Sequence, residues 1–279
     1  MSHMKSFNKV RVAVCLSGQA RYWKISAPNI KQFFTMGNPT RLIPNTDEIT
    51  TDYFIHTWDT NTWRNPKTRH HVYRDEKHTD AEDIKSTYEP KHFEQEEWIP
   101  KNFQRAWDAM FYSAGKSIMA KRNYELDNAF EYDLVIKARF DVIYDTDHIF
   151  PLMKLNPGCC YTTTPISKFP SEFNANCFDD VMFYGDSRTM DLVGDLYDTY
   201  KILHSPKNII ASHKSENMDV TSFYGPGTLL YDHLTNLHIH PDGNRHIRYA
   251  VVRSTAAEAK LDSVTAYQEI KRLSNEWYI

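Results

Sequence analysis

Residues 132–141 read Y-D-L-V-I-K-A-R-F-D, an apolar strand that runs directly into a charged pair, Arg139 and Asp141. In an α/β fold, ligands bind beyond the carboxyl ends of the strands, so charged groups at the mouth of a buried strand stand where such a fold keeps its chemistry. The Asp141 carboxylate offers hard oxygen ligands to a divalent ion, and the Arg139 guanidinium offers a planar donor fork that fits a phosphate. Metal and phosphate together point to a nucleotide-linked substrate. The alternative is an Arg–Asp pair that only ties a strand end to its neighbours.

The elements around this pair follow from hydrophobic patterning. Val10 to Leu16 (VRVAVCL) is a β-branched, nearly continuous apolar run, as expected of a strand buried on both faces of a parallel sheet. Ser17-Gly18-Gln19 turns the chain into an expected helix over Tyr22–Phe34, with Pro28 as a kink or a late start. Asp52 to Trp58 reads as a second strand, Asn61 to Lys77 as a surface loop, and Asp80 to Tyr88 as a short helix capped by Asp80. His92 to Trp98 reads as an edge strand. Asn102 to Ala129 carries the longest amphipathic stripe, through Phe103, Trp107, Phe111 and Ile118. Leu134–Ala138, Cys160–Thr164 and Asp180–Tyr184 are expected strands, and Ser187–Leu203 an expected helix. Ser215–Leu234 reads as helix in part, broken at Gly225-Pro226-Gly227. Leu237–His240 and Ile247–Val252 read as short strands, and Ser263–Trp277 as a helix packing back. The opening lacks G-x-G-x-x-G and G-x-x-x-x-G-K-[ST], which argues against a standard dinucleotide-binding fold or a P-loop kinase.

A chain of 279 residues with 41% hydrophobic content can bury one sizeable core. Its 33 basic and 36 acidic residues leave a net charge of -3, which argues against a nucleic-acid-coating protein. Cys15, Cys159, Cys160 and Cys177 contain no C-x-x-C pair and read as reduced, intracellular thiols rather than a disulfide framework or zinc site. No apolar run is long enough for a transmembrane helix, and no signal peptide is visible. Met1-Ser2-His3 reads as a cloning scar ahead of Met4. Residues 4–279 are expected to form a single domain, with a nucleotide-binding half over roughly 9–150 and an acceptor half over roughly 151–279.

In order along the chain, S-G-Q-x-R (Ser17, Gly18, Gln19, Arg21), F-I-H-T-W (Phe54 to Trp58) and M-F-Y-S (Met110 to Ser113) precede Y-D-x-V-I-K-x-R-x-D (Tyr132 to Asp141). D-D-x-x-x-Y-G-x-S (Asp179 to Ser187) and a Ser-Glu at Glu216 follow. This arrangement resembles a group of viral and bacterial glycosyltransferases with the GT-A type, nucleotide-diphospho-sugar transferase fold. The resemblance implies an α/β, Rossmann-type sandwich with a mostly parallel central sheet flanked by helices. It also implies a UDP- or GDP-sugar donor, a hydroxyl acceptor such as a glycan, and a divalent ion, manganese or magnesium. Where GT-A enzymes commonly carry Asp-x-Asp, this chain has Arg139-Phe140-Asp141, so that Asp141 stands for the metal-ligating carboxylate and Arg139 replaces the other acid.

On that resemblance the loop after the first strand cradles the nucleotide. Gly18 allows close backbone approach, Gln19 offers a donor and acceptor to a base edge, and Arg21 meets the diphosphate, against the alternative of a tight turn with a surface Arg. Trp58, beside His56, stacks on the base or closes the core. Ser113 and Lys116 share a helix face that points at ribose or phosphate, or at solvent. Asp180, preferred over Asp179, is the candidate base, or else a strand-start cap. Glu216 is a second candidate base, or an acid favoured by a helix first turn. His238 and His240 point to one strand face, so that His240 could complete the metal site, although with 13 histidines chance pairing is the commoner outcome. Two functions follow: a hexosyltransferase, or a catalytically degenerate module that binds nucleotide or sugar. A nucleotidyl- or phosphotransferase would want a Gly-rich loop that the single Gly18 does not supply. A homo-oligomer is compatible with either.

Overall fold

The computed structural model describes residues 9–35, 48–60, 80–99, 102–103, 106–144, 155–163, 167–168, 176–203, 226–243 and 249–252. In chain order the elements are β1 (Lys9–Gly18), α1 (Trp23–Thr35), β2 (Glu48–Trp58), α2 (Ala81–Tyr88), β3 (His92–Glu96), α3 (Ala106–Asn128), β4 (Leu134–Ala138) and β5 (Val142–Tyr144). These are followed by β6 (Cys159–Thr162), β7 (Ser167–Lys168), β8 (Asn176–Cys177), β9 (Phe183–Gly185), α4 (Ser187–Gly194), α5 (Leu196–Leu203), α6 (Pro226–Asn236), β10 (His240–Asp242) and β11 (Tyr249–Val251).

Seven strands form one sheet in the order β10-β6-β9-β4-β1-β2-β3. Every neighbouring pair is parallel except those made by β9, which runs antiparallel to both β4 and β6. The fold is α/β with a mixed, mostly parallel, Rossmann-like sheet. Two short antiparallel pairs, β5 with β11 and β7 with β8, lie outside it.

The continuous apolar run of β1 has its explanation in two cores. Val10, Val12, Val14 and Leu16 face Ile30, Phe33 and Phe34 of α1 and Ile84 and Tyr88 of α2. Ala13 and Cys15 face the opposite layer, where α3 to α6 contribute Phe111, Ile118, Met190, Leu196 and Leu230. Cys15, Cys159 and Cys160 are free thiols, and burial pushes Cys15 up to about 12, leaving it an inert core group.

Several local expectations meet a different outcome. Asp80 does cap α2, accepting from the backbone N–H groups of Glu82 and Asp83. The expected Ser187–Leu203 helix is two helices, α4 and α5, with Asp195 between them. Pro226 opens α6 instead of breaking a helix, because a missing N–H costs nothing at the first helical position. His238 adopts φ 56 in the turn after α6, so the strand there begins only at His240. β9 starts at Phe183, which leaves Asp179 and Asp180 in the bend before it. The surface loop over 61–77 and the tail helix over 263–277 lie outside the described residues.

The packing of α3 on α4 depends on two facing glycines. A Cβ on Gly115 would stand 2.7 Å from the Gly194 carbonyl oxygen, and a Cβ on Gly194 would stand 2.9 Å from Ile118 Cγ2. Gly115→Ala is therefore expected to destabilise the fold by about 1–3 kcal/mol through overpacking, although alanine gains about 1 kcal/mol in helix propensity. Urea denaturation measures it, and a stabilised variant would show that the helices can part without cost.

Candidate functional site

The strand order reverses between β1 and β4, since the chain leaves β1 toward β2 and β3 and returns on the other side as β4. The crevice beyond the carboxyl ends of these two strands is the topological switch point, where open α/β sheets bind their ligands. Gly18 ends β1 with φ 101, a conformation that favours glycine, and Arg21 donates its backbone N–H to the Gln19 carbonyl at 2.8 Å to close the turn. That turn carries Arg21 to Asp141, with Nη2–Oδ2 at 3.4 Å. From the β4 side, Arg139 donates Nε to Asp141 Oδ1 at 2.8 Å and Nη2 to Oδ2 at 2.7 Å. The Asp141 side chain is 5% exposed, while both arginine side chains are 20% exposed.

Behind this trio lies a group that sequence reasoning missed. Lys137, on β4, is fully buried and donates Nζ to the Asp180 carbonyl oxygen at 2.7 Å. Burial lowers its pKa to about 8, with Asp180 working the other way. Burial also pushes the Asp180 carboxyl up, against Lys137 and Arg139. Asp179 serves as a latch, accepting from Thr163 Oγ1 at 2.6 Å, Tyr249 Oη at 2.8 Å and the Val181 N–H at 2.9 Å. The signal for Lys137 was present in the sequence as a single charge inside the otherwise apolar L-V-I-K-A, a composition that a strand buried throughout carries only when the charge finds a partner.

Polar atoms of the β1 turn point the same way. Ser17 Oγ and Gln19 Nε2 are buried without a hydrogen-bond partner among the described residues. Buried polar groups are nearly always paired, so such atoms on a turn that reaches a charged crevice are candidate ligand contacts.

A second cluster stands beyond the ends of β2 and β3, under α3. His56 is 1% exposed, its Nδ1 lies 2.8 Å from Ser113 Oγ, and its Nε2 lies 3.3 Å from Glu96 Oε1. This Ser–His–acid line is not a nucleophile site. Ser113 is fully buried, accepts the Gly18 N–H at 2.7 Å and donates to the His56 carbonyl at 3.2 Å, so it anchors the β1 turn to α3 from behind. Lys116 Nζ bridges Glu94 at 3.0 Å and Glu96 at 3.1 Å. Trp58 is 2% exposed, with His56, Trp98 and Phe103 set edge-on to it and Tyr112 stacked at 5.8 Å, an aromatic that closes the core.

His56, Glu94 and Glu96 present ligand atoms that all lie within 4.8 Å of one another and could hold a metal ion. The pair assigned to a metal from the sequence is not brought together. His240 stands opposite Cys159 at the amino end of β6, and β6 runs the same way as β4, so His240 and Asp141 sit at opposite ends of the sheet with β6 and β9 between their strands. Asp141 does not suit a divalent ion as it stands, because Arg139 engages both of its oxygens. Glu216 lies outside the described residues, as do Asp145 and Asp147.

The buried imidazole predicts a pH dependence. Burial lowers the His56 pKa below its ordinary 6.5, with Glu96 opposing. A group held neutral in the fold and free to charge when unfolded stabilises above the unfolded value, and that stability is lost as pH falls below it. Wild-type stability is expected to drop below about pH 6.5, by at most about 1.4 kcal/mol per pH unit from this group. His56→Asn should flatten that limb in denaturation experiments between pH 7 and pH 5; an unchanged limb would place the titration elsewhere.

No protein-family model and no curated protein matches this chain. No described helix is long and apolar enough to cross a membrane.

Proposed function

We propose that this chain is a glycosyltransferase that moves a sugar from a nucleotide diphosphate sugar, UDP-linked in the first instance and GDP-linked in the second, to a hydroxyl of a glycan or similar acceptor. The observation that carries this reading is the convergence of Arg21 and Arg139 on the switch-point crevice, beside a β1 turn whose Ser17 and Gln19 hold buried, unpartnered polar atoms. The switch point of a mostly parallel sheet, with two guanidiniums meeting at one carboxylate, suits a nucleotide whose diphosphate leaves with the negative charge. The Rossmann-like sheet is compatible with this reading: β4 and β1 to β3 are parallel, and one reversed strand, β9, separates them from β6 and β10.

In the transfer, the bond between the sugar's anomeric carbon and the diphosphate oxygen breaks, and the acceptor oxygen bonds to that carbon. The electron pair of the broken bond stays on the diphosphate, and the acceptor proton passes to a carboxylate. Asp180, whose carboxyl burial pushes up, is the group proposed to take it. Arg21 and Arg139 stabilise the charge that grows on the leaving group.

The second reading is a nucleotide- or sugar-binding module without turnover, favoured by the Arg139–Asp141 pairing at a position where an acid would be expected. Incubation with UDP- and GDP-sugars separates the two. Release of the nucleoside diphosphate that falls on Asp180→Asn supports the transferase; binding without release supports the module. A thermal shift with neither nucleotide, together with no release, would end both readings.

A further inference from the structure

The geometry points to a metal-free diphosphate site, in which the paired guanidiniums of Arg21 and Arg139, oriented by Asp141, do the work that a divalent ion would otherwise do. This inference rests on the proposed nucleotide-sugar reading and makes it more specific. A divalent ion at a strand end needs carboxylate oxygens that are available to it. Those of Asp141 are already engaged: Oδ1 and Oδ2 accept from Arg139 Nε and Nη2 at 2.8 and 2.7 Å, and Oδ2 also faces Arg21 Nη2 at 3.4 Å. The neighbouring acids among the described residues offer little more. Both oxygens of Asp179 accept hydrogen bonds, and burial pushes the Asp180 carboxyl up against the charges of Lys137 and Arg139, which disfavours the charged form an ion would need. An ion entering here would have to break a bidentate charge-assisted pair and then sit among Arg21, Arg139 and Lys137, three positive groups that repel it.

The same arrangement favours an anion. Arg139 commits one edge of its guanidinium to Asp141, which fixes the plane of the fork and leaves its orientation settled before a ligand arrives. Arg21 approaches Asp141 from the β1 side, so one carboxylate holds two guanidiniums at a common point from separate strand ends. Asp141 is thus a positioning residue for the clamp and not a metal ligand. Among the described residues, the group that could hold an ion, His56 with Glu94 and Glu96, belongs to β2 and β3, and Lys116 already bridges its carboxylates.

Isothermal titration of the whole chain with UDP and with GDP, in excess EDTA and in excess manganese, tests the inference. Equal affinity in the two buffers, weakened about tenfold or more in Arg139→Gln and in Arg21→Gln, is the expected result. The melting temperature of each variant is read alongside, and Arg21→Gln, on the turn and not on a strand end, covers the case in which Arg139→Gln fails to fold. Binding that appears only with manganese would overturn the clamp while leaving the transferase reading intact. So would binding in EDTA that both folded variants retain. Absence of binding by either nucleotide in either buffer would overturn the clamp and the transferase reading together.

Discussion

Lys121→Met is expected to destabilise the fold by about 3–5 kcal/mol, the cost of breaking a buried ion pair by removing one partner. In a chain of this size that corresponds to a fall in Tm on the order of 10 °C. Lys121 is fully buried on α3 and donates to three side chains: to Glu125 Oε2 at 2.9 Å, to Ser187 Oγ at 2.6 Å and to Asp191 Oδ1 at 2.7 Å. Glu125 in turn accepts from the Tyr132 N–H at 2.6 Å and from Ser187 Oγ, so the network ties α3 to the start of β4 and to α4. Without the ammonium, Glu125 and Asp191 are left as neighbouring carboxylates in a largely buried place. Adding Glu125→Gln should restore part of the loss, since the amide oxygen still accepts from Tyr132 and Ser187 and one negative charge is gone. Urea denaturation of the single and double variants measures this, and a single variant within 1 kcal/mol or so of wild type would mean the network relaxes far more than buried pairs generally do.

Lys137→Met is expected to do the opposite and stabilise the fold by about 2 kcal/mol at pH 7. Lys137 is as buried as Lys121, but its ammonium bonds a carbonyl oxygen and, among the described residues, has no carboxylate at hydrogen-bond distance. Its pKa falls from 10.5 to about 8 because burial penalises the charged form. A depressed lysine means that the unfolded chain binds its proton more tightly than the folded one, so the fold bears a cost of about 3 kcal/mol below pH 8. Leaving the Asp180 carbonyl unpaired returns about 1 kcal/mol of that in the variant. The sign fixes the pH window: the advantage of Lys137→Met is complete below about pH 8 and fades as pH rises toward 10.5. Thermal melts from pH 7 to pH 10 read it directly, and a destabilised variant at pH 7 would show that the Asp180 contact outweighs the burial. A charge kept at such a cost beside Asp180 and Arg139 is a mark of a functional site, so UDP or GDP binding should weaken in the same variant even as its Tm rises.

These two lysines also show how far the sequence could be read. Lys121 and Lys137 both interrupt apolar patterns, one on a helix and one on a strand, and although Glu125 stands one turn along from Lys121, nothing local supplies the rest of either lysine's surroundings. The partners Ser187 and Asp191 lie 66 and 70 residues away from Lys121, and Asp180 lies 43 residues from Lys137. Periodicity reports whether a position is buried; it does not report what it is buried against.

The residues by themselves determined the strands that carry the site. The apolar runs of β1 and β4, the Asp80 cap and the position of Arg139 and Asp141 just past a strand all follow from local patterning, because side-chain burial repeats with the period of the element. The three-residue β9 and β10 were misplaced by a few positions, since strands that short have too few residues for a period and take their extent and direction from their neighbours. Only the tertiary structure decided that Arg21 reaches Asp141 across 120 residues of chain, that Ser113 anchors Gly18 from a helix 95 residues on, and that His240 stands at the far end of the sheet from the acid it was matched with. Each of these depends on which strands pair and in which order. That choice is made by the packing of whole layers across the sheet, a non-local quantity that no window of sequence contains.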